Sequence, residues 1–266
     1  MKEQETSDFI SRWLNDYCEK AGMKGFVIGV SGGIDSAVTS TLCALTGKEI
    51  ILLELPIHQA ASQVSRAQEH IQWLKSKYSN VHSFSIDLTF SFEALKSSFP
   101  SFDANVNTRH LAEANTRARL RMSTLYYVAG MNHMLVAGTG NKIEDFGVGF
   151  YTKYGDGGVD ISPIADLMKS EVFAIGRALG VGESILSAAP TDGLWGDDRT
   201  DEDQLGASYD ALEWAMLYSM NPNVDDSNLT SDQLKTLQLY RRLHSANQHK
   251  MQPIPVCVIP DDLRRS

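Results

Sequence analysis

One stretch constrains this chain more than any other: Gly29-Val30-Ser31-Gly32-Gly33-Ile34-Asp35-Ser36. An apolar run, Phe26-Val27-Ile28, leads into it, and a helical pattern from Ala37 to Leu45, closed by Gly47, leads out. The order is strand, tight turn, helix. Two adjacent glycines let the backbone turn sharply and come close to a ligand. The new helix aims unpaired N–H groups and the positive end of its dipole into the turn. Ser31 and Ser36 add hydroxyls, and the whole is an anion site suited to phosphate. The lysine of the common G-x-x-x-x-G-K-[ST] loop is missing, and a carboxylate, Asp35, stands in the middle. A carboxylate repels phosphates unless a cation lies between them, so Asp35 implies a Mg²⁺-bound polyphosphate. A plain strand–turn–helix capped by an aspartate would carry the same letters.

The rest of the chain repeats the alternation. Ile50-Ile51-Leu52-Leu53 reads as a strand buried on both faces. Val81 to Ile86 and His133 to Ala137 read as two more strands. Helical spacing covers residues 6–22, 60–78, 88–99 and 108–132. On the last of these, Leu111, Ala114, Ala118, Met122, Leu125 and Ala129 form one stripe. Arg119 projects to one side of it, Arg117 and Arg121 to the other. Alternating strands and helices predict an α/β fold with a parallel, doubly wound sheet, as one domain over residues 1–266. Ligands of such sheets bind beyond the strand carboxyl ends. A second glycine turn, Gly138-Thr139-Gly140-Asn141, leaves a strand at that edge. Residues 139–165 are glycine-rich and aperiodic, which predicts a functional loop or lid. Helices follow at about 167–180, 203–219 and 231–247, the last behind the capping box Thr230-Ser231-Asp232-Gln233. Residues 189–195 read as a loop, and the proline-bearing tail as extended chain.

Composition narrows the setting. A hydrophobic content of 42% excludes a disordered protein. No run approaches the ~18 apolar residues of a membrane span. Met1-Lys2-Glu3-Gln4-Glu5 is unlike a signal peptide. Cys18, Cys43 and Cys257 match no zinc or redox spacing and read as reduced thiols in the cytoplasm. A formal charge of −9 argues against nucleic-acid binding. An anionic substrate then needs a local cluster of cations.

Ser31-Gly32-Gly33-Ile34-Asp35-Ser36 resembles the pyrophosphate loop of the N-type ATP pyrophosphatases, whose sheet is Rossmann-like, of the adenine nucleotide alpha hydrolase type. Further stretches narrow the likeness to the NAD synthetases. Asn115-Thr116-Arg117-Ala118-Arg119-Leu120-Arg121-Met122 resembles their N-x-[KR]-A-R-x-R-M helix. Gly138-Thr139-Gly140-Asn141-Lys142-Ile143-Glu144 is similar to their second nucleotide loop, and Phe150-Tyr151-Thr152-Lys153-Tyr154-Gly155-Asp156-Gly157-Gly158-Val159-Asp160 to their substrate loop. Pro163 to Lys169, Pro190-Thr191 and His249-Lys250 fall in the family's order. The run from Glu144 to Thr152 is one residue longer than in the commonest bacterial ammonia-dependent members.

The resemblance implies ATP- and Mg²⁺-dependent amidation of deamido-NAD⁺ to NAD⁺. ATP adenylates the nicotinate carboxylate and releases pyrophosphate; ammonia then displaces AMP. It implies that Gly29, Val30, Ser31, Gly32, Gly33, Ile34, Asp35 and Ser36, with Thr139, Lys169 and Thr191, bind ATP. It implies that Asp35 and Glu144 hold Mg²⁺ and that Arg119, Lys153, Asp160, His249 and Lys250 hold deamido-NAD⁺, with Asp35, Lys153 and Lys169 carrying most of the chemistry. In many members the arginine at the position of Arg119 serves the neighbouring subunit, so a homodimer is expected. Only 28 residues precede Gly29, too few for a glutaminase domain, so free ammonia is the expected nitrogen source. Two rivals share the turn. A tRNA-thiolating or GMP-synthetase-type enzyme would favour a basic face or catalytic cysteines. A non-catalytic nucleotide-binding module would need neither Glu144 nor a lysine-bearing loop.

Overall fold

The computed structural model describes residues 1–59, 61–191, 200–221, 223 and 225–264. Four strands, β1 (Gly25–Gly29), β2 (Glu49–Glu54), β3 (Val81–Ser85) and β4 (Leu135–Val136), form a parallel sheet in the order β3-β2-β1-β4. The register pairs Phe26 with Ile50 and with Leu135, and Ile50 with Val81. A bridge from Ala137 to Ile161 prolongs the sheet beyond β4. The expected fold class is therefore present, with helices on both faces.

The apolar runs explain why. Side chains alternate across a strand, so a continuous apolar run serves two cores at once. Phe26, Ile28, Ile50 and Leu52 pack with α1 (Glu3–Lys20), α2 (Ile34–Ala44) and α3 (Ala61–Lys77). Val27, Ile51 and Leu53 pack the other way, against Phe92 of α4 (Thr89–Ser97) and Ala129 of α5 (Val106–Asn132). Each such fully buried Ile or Leu contributes ~2 kcal/mol by transfer alone. After β4 come α6 (Lys169–Leu179), on the α2 side, and the short α7 (Glu183–Leu186) and α8 (Asp201–Leu205). A third core joins α9 (Tyr209–Met220) and α10 (Ser231–Met251) through Leu212, Met216, Leu237 and Tyr240.

Several elements differ from the sequence expectation. Residues 139–165 are not loop throughout: Lys142–Val148 wind into a π-helical turn whose Ile143 and Val148 belong to the third core. A π turn spans i to i+5 and therefore shows no amphipathic period of 3.6. The helix expected over 203–219 is two helices, because Gly206 takes φ +83° and stops α8 before Ser208 caps α9. β4 begins at Leu135, since His133 sits in the left-handed cap of α5. Leu111 leaves the apolar stripe of α5 and is 52% exposed. Of the loop expected over 189–195, residues 192–195 lie outside the described residues.

Candidate active site

The glycine turn closes on itself. Gly32 takes φ +82°, a left-handed conformation that costs other residues free energy, and Gly33 is the N-cap of α2. The Ser31 hydroxyl accepts from the Gly33 N–H (3.2 Å). The Ser36 hydroxyl donates to the Gly33 carbonyl (3.0 Å) and accepts from the Ser31 N–H (3.2 Å). The turn is thus pre-shaped by its own serines. Ile34 is buried in the core, so only its backbone faces the turn.

Asp35, in the first turn of α2, points across β1 toward the end of β4 and the start of α6. Its Oδ2 accepts from Lys169 Nζ (2.6 Å) and its Oδ1 from Asn141 Nδ2 (3.0 Å). Glu144 Oε1 accepts from the same Lys169 Nζ (2.8 Å) and from the Tyr209 hydroxyl. Asn141 also caps the π turn, its Oδ1 accepting from the Glu144 N–H (3.0 Å). Two carboxylates, 109 residues apart in sequence, therefore meet at one nitrogen. The Lys169 side chain is only 4% exposed. Burial alone would lower its pKa, but Asp35 and Glu144 reverse the sign and hold it protonated. Burial would raise Glu144, the opposite direction, yet Lys169, Tyr209 and Asn141 hold it below the usual range. Lys169 opens α6, and Glu213 of α9 fixes that end by accepting from the Ser170 N–H (2.9 Å) and hydroxyl (2.7 Å).

These groups line a cavity of about 280 Å³ at the carboxyl edge of the sheet. Of the residues expected to bind ATP, Gly29, Val30, Ser31, Asp35, Ser36, Thr139, Lys169 and Thr191 line it. Residues not foreseen line it too. Asp145 packs so closely on Gly140 that a Cβ there would lie 1.9 Å from its carboxylate. Asp156, although open to solvent on one side, is raised to about 6, chiefly by desolvation beside the cavity. Arg121, across the cavity on α5, donates Nε to the Leu55 carbonyl (2.9 Å) and Nη2 to Gln59 (2.8 Å). Burial, with Arg117 nearby, brings it down to about 10. The sequence signal for Arg121 was its place on the opposite side of α5 from Arg119.

The residues expected to hold deamido-NAD⁺ lie elsewhere. Arg119 is on the outside of α5 and donates to the Lys153 carbonyl (3.3 Å). Lys153 Nζ in turn meets the His249 carbonyl, and Lys250 Nζ the carbonyls of Gly149 (2.7 Å) and Tyr151 (2.8 Å). They form a chain of cations joined through backbone oxygens, and none of them lines the cavity. Asp160 has both oxygens engaged, by the Tyr126 hydroxyl (3.0 Å) and the Val136 N–H (2.8 Å). Asn115 of α5 accepts from the Thr152 hydroxyl (2.6 Å), anchoring the turn that carries Lys153.

A parallel sheet with a glycine turn after β1, and acids meeting a buried lysine at its carboxyl edge, defines an adenine nucleotide alpha hydrolase-type fold. Within it the particular family is shown by comparison: residues 7–254 match the family model described as NAD synthase, and the chain belongs to that family. The NH(3)-dependent NAD(+) synthetase of Mesoplasma florum is 36% identical over 94% of this chain and 95% of its own. A solved NMN synthetase from Francisella tularensis superposes with a TM-score of 0.83 at 33% identity, over 98% and 99% of the two chains. The NAD⁺ synthetase of Burkholderia pseudomallei gives 0.70 at 25% identity, over 94% and 90%.

Proposed function

We propose that this chain is an ammonia-dependent NAD synthetase: a ligase that converts the nicotinate carboxylate of deamido-NAD⁺ to the amide, at the expense of ATP. The observation that carries the reading is the meeting of Asp35, Glu144 and Lys169 beside the glycine turn, in a member of the NAD synthase family. In the first step a nicotinate oxygen attacks the α-phosphorus. The bond from that phosphorus to the oxygen bridging the α- and β-phosphates breaks, and its electron pair leaves with pyrophosphate. Ammonia then attacks the acyl carbon, loses its proton to solvent, and AMP departs. Positioning and charge stabilisation supply most of the rate.

The donor set fits Mg²⁺. Two hard carboxylates flank one another across the Lys169 ammonium at the mouth of the glycine turn, and Mg²⁺ is commonly held by one or two carboxylates plus substrate phosphates. Asp35 and Glu144 would hold the ion, which when bound would offset phosphate charge. Lys169, kept protonated, adds a fixed positive charge at the same edge. Arg119, Lys153, His249 and Lys250, outside the cavity, would take the far part of the dinucleotide across a homodimer interface. The exposed Tyr127 and Met131 of α5 support that reading of the assembly. Among the described residues no helix is long and apolar enough to cross a membrane, which is compatible with a cytoplasmic enzyme.

A second reading of the acceptor has its own support. The Francisella protein is described as an NMN synthetase and matches nearly the whole of both chains, so nicotinate mononucleotide is the rival substrate. The test is AMP release with ATP, Mg²⁺, ammonium and either nucleotide. AMP and NAD⁺ from deamido-NAD⁺ are expected. Preferential turnover of the mononucleotide would shift the assignment, and no AMP from either would overturn the ligase.

A further inference from the structure

The glycine turn lacks the lysine that common phosphate loops bring to the β- and γ-phosphates. Lys169 does not replace it freely, because its ammonium already lies between Asp35 and Glu144. A cation nevertheless reaches the turn from α3. Arg66 donates Nε to the carbonyl of Gly32 (3.4 Å), at the left-handed apex of the turn. Among the described residues no carboxylate pairs with it. The acid on its own helix, Glu69, accepts from the Ser184 hydroxyl (2.8 Å), and Glu54 at the end of β2 accepts from Gln68 (3.4 Å). Among the described residues no hydrogen bond or ion pair engages either terminal nitrogen of the Arg66 guanidinium.

β4 and its turn, with Thr139 and Glu144, flank β1 on one side; β2 and α3 flank it on the other. Arg66 itself does not line the cavity, though its neighbour Ala67 does. A polyphosphate whose leaving end lies in the glycine turn would come within reach of Arg66, because its guanidinium already touches the Gly32 carbonyl at the apex of that turn. We propose that Arg66 is a phosphate-binding residue that grips the β- and γ-phosphates of ATP and the pyrophosphate they become. As the bond to the α-phosphorus breaks, its electron pair stays on the β-phosphate, and a guanidinium there offsets the added charge.

The inference rests on the ligase reading, so its test is arranged to be independent of turnover. Binding of MgATP and of Mg-pyrophosphate to the full chain is measured by calorimetry for wild type, Arg66→Ala and Arg66→Lys. Arg66→Ala is expected to weaken both by about tenfold, with partial recovery in Arg66→Lys. The KM for the nicotinate nucleotide and the melting temperature should stay at wild-type values. Affinities for both phosphates within twofold of wild type would overturn the assignment. A lowered melting temperature with ATP and nucleotide affected alike would overturn it too, making Arg66 a structural residue. Wild-type protein that binds both phosphates but releases ADP and phosphate would refute the ligase and leave the Arg66 measurement standing.

Discussion

Lys169 and Lys153 lie sixteen residues apart and in opposite surroundings. Lys169 is buried between two carboxylates; Lys153 is half-buried and, among the described residues, meets a backbone carbonyl and, at 5.5 Å, the Tyr154 ring, with no carboxylate beside it. A buried charge must be matched, because removing one partner strands the others in a poor solvent. A charge in reach of water has no such debt to the fold. The inner cluster is therefore charge-matched within one chain, whereas the outer cluster is held by backbone carbonyls, which do not neutralise its charge.

The sharpest way to break this contrast is Lys169→Met. It leaves Asp35 and Glu144 facing one another, so turnover should fall at least ~10³-fold and stability by about 3–5 kcal/mol. Urea unfolding beside a turnover assay checks both, and unchanged stability would show that the acids are not a buried, matched pair. Asp35→Ala should lower turnover ~10²-fold or more through lost metal placement. Its stability cost should be the smaller of the two, since Lys169 retains Glu144. Near-normal turnover at limiting Mg²⁺ would remove Asp35 from the metal site. Lys153→Ala sits at the other pole. The KM for the nicotinate nucleotide should rise ~10-fold while stability stays within ~0.5 kcal/mol of wild type. Equal effects on ATP and nucleotide would assign this lysine to the wrong ligand.

The same contrast explains what the sequence disclosed. The turn at 29–36 was legible because its chemistry is local: adjacent glycines, a strand before and a helix after. Asp35 and Glu144 could be placed at one edge because both follow strands of a parallel sheet. That Lys169 joins them, and that Tyr209 donates to Glu144, depends on how the start of α6 meets α9. No spacing in the chain encodes those contacts. The π turn escaped because its geometry has no apolar period, whereas the break at Gly206 was signalled by a glycine followed by a serine cap. Arg119 and Arg121 show the limit of periodicity. It separates them onto two sides of α5, but only the tertiary fold says that the Arg121 side faces the cavity.

Another buried base shows what burial does without a carboxylate. His70 is 3% exposed, shares a hydrogen bond with the Ser40 hydroxyl (2.9 Å) and stacks on Trp73, while its Nδ1 has no partner among the described residues. Burial lowers its pKa to about 4, the opposite direction from Lys169. The neutral ring is thus favoured in the fold, and the unfolded chain binds the proton first, near pH ~6.5. The resulting stability is present above that pH and is lost as pH falls toward about 4. Between pH 7 and pH 5 the loss should be about 2 kcal/mol. Lys169 predicts the mirror image: its raised pKa contributes stability that holds through neutral pH and fades only in strong alkali. His70→Gln keeps a polar side chain beside Ser40 and removes the titration. Urea unfolding at the two pH values should show the wild type losing more stability than this variant. Equal losses would mean that the acid sensitivity arises elsewhere and that the buried ring carries its proton at no cost.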